Sequence, residues 1–121
     1  MKTLAQRRAA VALRWKDKDF GGKQKGNVIS GFPMLIRTDG LLPALAYAVE
    51  KNSDGNENKN RGEYQIVSSL LEHLSNEGIL KVSKSPMDMV GELADAADAS
   101  QLRRATAESL AFLNYIKRFV A

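Results

Sequence analysis

Apolar residues recur along this chain every three to four positions, and most of them are alanine or leucine. Ala and Leu supply 29 of the 121 residues, whereas the β-branched Val, Ile and Thr together supply 15. Ala and Leu give up little freedom in a helix, and β-branched side chains suit a pleated sheet, so this ratio predicts an all-α chain. The spacing agrees. In residues 63–77, Ile66, Leu70, Leu71 and Leu74 share one side of a 3.6-residue wheel. In residues 101–121, Leu102, Ala105, Phe112, Leu113, Ile116, Phe119 and Val120 do the same. Gly78 is expected to end the first of these helices, and Ser100 to cap the second.

Four further helical segments precede or separate these two. Residues 3–19 place Leu4, Ala5, Ala9, Ala12, Leu13 and Trp15 on one broad face and Arg7, Arg14 and Lys18 on the other, with Gly21-Gly22 as the stop. Residues 26–38 carry helical spacing in Val28, Ile29, Phe32, Leu35 and Ile36, but Gly31 and Pro33 predict a break or kink there. Residues 41–51 read as a short apolar helix with Pro43 in its first turn. Pro86 opens a weaker helix to about residue 97, with Met89, Val90 and Leu93 inward. The Asn-rich residues 52–60 read as a solvated loop, and 79–85 as a short, extended piece. The expectation is one compact bundle of about five to six helices over residues 1–121, with a flexible loop near 52–61.

Composition removes several classes of function. Without cysteine there is no disulfide framework and no thiolate zinc site, and a single histidine cannot build a His-rich metal centre. No cofactor is expected. The longest uncharged run, residues 26–36, is 11 residues and contains Gly31 and Pro33, too short for the roughly 20 apolar residues of a membrane span. Met1 leads directly to Arg7, Arg8 and Arg14 without the apolar core of a signal peptide, so a cytoplasmic setting is expected.

Charge is distributed unevenly. Residues 1–61 hold 12 Lys+Arg against 6 Asp+Glu, and residues 62–121 hold 6 against 8. The first 25 residues alone carry eight basic and two acidic side chains. A domain with one strongly basic region is suited to a polyanion.

Catalytic constellations are weak. His73 lacks a Ser or Cys partner pattern and reads as a surface or half-buried residue. Asp88, Glu92, Asp95 and Asp98 would line a solvated acidic face, and no oxygen-rich loop accompanies them to hold a divalent cation. The run Gly21-Gly22-Lys23-Gln24-Lys25-Gly26 has the five-residue glycine spacing of a phosphate loop, but Asn27-Val28 stands where Lys and Ser/Thr are required. What remains is a turn carrying Lys23 and Lys25, suited to a sugar-phosphate backbone. Residues 63–85 have the outline of the second half of a winged helix. Residues 62–77 nevertheless contain Glu63, Glu72 and Glu77 and no Lys or Arg, a poor surface for a DNA groove. Trp15, Phe112, Tyr115 and Phe119 read as core or core-border rings and not as stacking platforms.

Three stretches carry a family resemblance. They are Gln6-Arg7-Arg8-Ala9 in the N-terminal helix, residues 33–46 around Arg37-Thr38-Asp39-Gly40-Leu41-Leu42-Pro43, and residues 103–119 from Arg103-Arg104 to Phe119. In this order and at this length the chain resembles the small subunit of the Cmr effector complex, the type III-B CRISPR–Cas machine of antiviral defence. The match is weak over residues 51–61 and 79–89. The resemblance implies a helical protein without enzymatic activity that stacks in copies beside guide and target RNA and contacts the other Cmr subunits. It supplies no residue-level RNA motif. The candidate RNA contacts therefore follow from the charge pattern: Arg7, Arg14 and Lys18 as one stripe, Lys23 and Lys25 at the turn, and Arg37, each facing a phosphate oxygen. A winged-helix DNA-binding regulator is the rival reading, and a small hydrolase built on His73 or the acidic helix is a third.

Overall fold

A computed structural model describes residues 1–51, 53–56, 58–59, 61–81, 85–96 and 98–120. Among the described residues there are six α-helices, one 3₁₀ turn and no strand. The helices are α1 (Leu4–Arg14), α2 (Lys25–Asp39), α3 (Leu41–Ala48), α4 (Gly62–Asn76), α5 (Pro86–Ala96) and α6 (Ala99–Val120), and the 3₁₀ turn at Gly22–Gln24 leads into α2. The all-α class read from composition is the observed one.

α1 starts on a reciprocal cap. Thr3 Oγ1 accepts from the Gln6 N–H at 3.1 Å, and Gln6 Oε1 accepts from the Thr3 N–H at 2.7 Å. The helix stops at Arg14 and does not run on to Asp19 as its sequence predicts. The cause is Phe20. Its side chain is fully buried in the core, and the backbone reverses through turns at residues 15–18 to put it there, reaching φ 48° at Phe20 itself. The buried side of α1 also differs from the expected arc. Val11 and Ala12 are buried and Arg8 is half-buried, while Leu13 is 45% exposed.

α2 runs unbroken through Gly31 and Pro33, contrary to the expected interruption. Proline removes the hydrogen bond to the residue 29 carbonyl and crowds that turn, and the burial of Ile29, Phe32 and Ile36 on a single face outweighs that loss. Gly40, at φ 95°, then separates α2 from α3, and α3 ends at Ala48, three residues short of expectation.

α4 is the hub. It packs against each of the other five helices and buries Tyr64, Ile66, Val67, Leu70, Leu71 and Leu74. Its first residue explains how the N-terminal segment docks. A Cβ on Gly62 would lie 2.6 Å from the Phe20 carbonyl oxygen, so only glycine admits this approach. Gln65 Oε1 completes the joint by accepting from the Phe20 N–H at 2.5 Å.

The end of α4 is also tightly held. Gly78 turns at φ 74°, and the N–H groups of Ile79 and Leu80 donate back to the Leu74 carbonyl at 2.9 and 3.4 Å. Ile79 and Leu80 therefore belong to the helix terminus and not to a wing strand. Residues 82–84 of the expected extended piece lie outside the described residues, as do 52, 57 and 60 of the Asn-rich loop. Of that loop, residues 53 and 54 form a turn, and Asp54 Oδ1 accepts from the Asn56 N–H at 3.0 Å. The cap of α6 is Asp98 and not Ser100. Asp98 Oδ1 accepts from the Gln101 N–H at 2.8 Å, and Gln101 Oε1 from the Asp98 N–H at 2.9 Å.

One apolar cluster draws on all six helices, from Val11 and Ala12 of α1 to Phe112, Leu113, Ile116 and Val120 of α6.

Candidate functional site

The six expected cations divide into two groups in the structure. Arg7 and Arg14 lie alongside α4 and are already engaged. Arg7 grips Glu77 through two parallel bonds, Nε to Oε2 at 2.7 Å and Nη2 to Oε1 at 3.0 Å, and its Nη1 donates to the Lys2 carbonyl at 2.7 Å. Its guanidinium holds the Glu77 carboxyl below the ordinary carboxylate range. Arg14 Nη2 donates to Glu72 Oε2 at 2.9 Å. Two of the three acids that argue against DNA reading, Glu72 and Glu77, thus face the bases of α1, and the third, Glu63, lies 3.3 Å from Arg61 Nε.

The other four are differently placed. Lys18 is exposed in the turn after α1, with Nζ 5.7 Å from the centre of the Trp15 ring. Lys23 is exposed on the 3₁₀ turn, Lys25 opens α2 half-buried, and Arg37 is exposed in the last turn of α2. None of these four side chains has a carboxylate partner among the described residues.

Sequence reasoning missed a buried polar network between α1, α4 and α6. Glu108 receives two bonds from Arg8, Nε to Oε2 at 2.6 Å and Nη2 to Oε1 at 2.8 Å. The same Oε2 lies 2.7 Å from His73 Nε2, and because a carboxylate only accepts, the ring N–H donates. His73 is fully buried, stacked on Phe112 at 4.8 Å between ring centres, and its Nδ1 has no partner among the described residues. The Arg8 guanidinium and, second to it, the His73 bond hold the Glu108 carboxyl below its ordinary range against the opposing effect of burial. The signal was present in the spacing. Arg8 stands between Leu4 and Ala12 on the inner arc of α1, and His73 stands among Ile66, Leu70 and Leu74 on α4.

The remaining candidates resolve as structure. His73, expected at or near the surface, is sealed in the core and lies beyond reach of a substrate. On α5, Asp88 and Asp95 are exposed, and Asp98 is spent on capping α6. Among the described residues no three His, Asp or Glu side chains are grouped to hold a metal ion. α4 is too deeply buried to present a groove-reading face, so the winged-helix alternative finds no support. Phe119, expected in the core, is 43% exposed and stacks on Tyr115 with 6.3 Å between ring centres.

An all-helical fold agrees with what the Cmr resemblance implies, and comparison with known families decides the family. A family model for the CRISPR-associated protein Cas_Cmr5 matches residues 4–121, from the first residue of α1 past the end of α6. The chain belongs to the Cas_Cmr5 family. Cas_Cmr5 membership makes it a CRISPR-associated subunit of the Cmr complex. The Cas_Cmr5 match takes in residues 51–61 and 79–89, where the sequence resemblance is weak. No curated protein and no solved structure matches the chain. No helix among the described residues is long and apolar enough to cross a membrane.

Proposed function

We propose that this chain is a non-catalytic, cytoplasmic subunit that stacks in copies along the guide and target RNA of the Cmr complex and contacts the phosphate backbone. Lys18, Lys23, Lys25 and Arg37 make the principal contacts. Arg7 and Arg14, whose side chains are still 42% and 53% exposed, share their charge between α4 and the RNA. The observation that carries this reading is that these four cations have no carboxylate partner among the described residues of a Cas_Cmr5 chain. A cation already paired gains less from a phosphate, because it first gives up its carboxylate. Each contact acts on the backbone and confers no base preference.

The test uses the assembled complex carrying K18Q/K23Q/K25Q/R37Q in this subunit. RNA affinity is expected to fall. The dependence of log K on log salt is expected to flatten by roughly 0.7 for each single-strand phosphate that is no longer neutralised. Unchanged affinity and slope would remove these residues from the interface. An R7Q/R14Q complex is expected to show a smaller change. Sequence-selective binding of duplex DNA by the isolated chain would contradict the reading as a whole.

A further inference from the structure

The second half of the chain is acidic in sum, yet the outward arc of α6 carries charged side chains of basic type only. Most of its carboxylates are placed elsewhere, Glu63, Glu72 and Glu77 on α4 and its cap and Asp88, Glu92 and Asp95 on α5, while Asp98 caps the start of α6 by accepting from the Gln101 N–H. α6 itself holds one, Glu108, which is turned inward to Arg8 and His73. Its four cations, Arg103, Arg104, Lys117 and Arg118, are all exposed, and none has an ion pair or side-chain hydrogen bond among the described residues.

These four form a track. At 100° per residue, Arg103, Arg104, Lys117 and Arg118 fall within one arc, opposite the buried Ala105, Ser109, Phe112, Leu113, Ile116 and Val120. The two basic pairs are 14 residues apart, about 21 Å along the helix axis. Between them the arc holds Ala107, half-exposed Ala111 and Asn114, small side chains that admit a strand close to the helix, while Leu110 is partly buried against the core. A folded acidic protein would meet two separate points of charge. A nucleic-acid strand presents a charge at every step and satisfies both pairs in a single pass.

We infer that the outward face of α6 is a second backbone-contact surface, for single-stranded RNA, held by Arg103, Arg104, Lys117 and Arg118. It shares with the proposed function the choice of RNA as ligand but differs in the surface, so each can fail alone. The full chain is titrated with a labelled single-stranded RNA of mixed sequence, by fluorescence anisotropy, across a salt series. The R103Q/R104Q/K117Q/R118Q chain is expected to lose at least about tenfold in affinity at low salt, with its log–log salt slope reduced by roughly 2 to 3. The charge-retaining R103K/R104K/R118K chain is expected to bind within about threefold of the parent, because backbone contact needs charge more than fork geometry. Both variants should keep the parent's thermal unfolding midpoint, since the substituted side chains are exposed and make no ion pair or side-chain hydrogen bond among the described residues. The K18Q/K23Q/K25Q/R37Q chain reads the other surface independently. A parent that does not bind RNA at low salt, or an α6 variant with the parent's affinity and slope, would overturn the inference. So would an α6 variant that loses binding to poly-glutamate while keeping its RNA affinity.

Discussion

Glu108 accepts hydrogen bonds from two side chains at once, Arg8 and His73, and at the scale of single residues this makes it the most consequential polar side chain in the fold. Removing it strands Arg8 and His73 in a largely dry joint between three helices. Glu108→Ala is expected to cost about 3 kcal/mol in chemical denaturation, as for other buried pairs that lose one partner. Arg14→Ala, at an exposed pair, should cost within about 0.5 kcal/mol. The network also sets the acid response. The folded protein keeps Glu108 and Glu77 ionised below their ordinary value of 4.5, and the unfolded chain does not. Their stabilisation is therefore complete above about 4.5 and is lost as pH falls below it. The unfolding midpoint should hold from neutrality to about pH 5 and then fall, and Glu108→Gln should make the fall shallower. A midpoint that tracked pH evenly from about 7 to about 5 would point to other groups.

At the scale of elements, what is legible in the sequence is whatever repeats along one helix. The inward faces of α4 and α5 were legible, because Ile66, Leu70 and Leu74, and Met89, Val90 and Leu93, are spaced by local geometry alone. What depended on a distant partner was not. The end of α1 is set by the burial of Phe20 against Gly62, more than 40 residues away, and the continuity of α2 by a core that tolerates Pro33. The basic stripe of α1 was legible as a stripe, but its engagement by Glu72 and Glu77 was not, since helical spacing says nothing of which helix lies alongside. Two glycines test this division. Gly62→Ala should cost about 2 kcal/mol, because its methyl would meet a backbone carbonyl that cannot yield. Gly31→Ala, in the exposed middle of α2 with open space around it, should gain about 0.5 to 1 kcal/mol. Thermal melts of the two variants should move in opposite directions.

At the scale of the whole molecule, the formal net charge of +4 understates how the surface is organised. Bases that face acids on neighbouring helices, Arg7, Arg8 and Arg14, are already engaged within the bundle. Those left over, in the turn after α1, along α2 and on α6, are available to a polyanion. Membership of the Cas_Cmr5 family places this surface on a CRISPR-associated subunit of the Cmr complex. The most direct measurement is purification of the tagged chain from its native host, with sequencing of the RNA and mass spectrometry of the protein that come with it. Guide RNA is expected to come with it, together with the large Cmr proteins. Recovery of the chain alone, or with duplex DNA and no Cmr protein, would contradict this expectation.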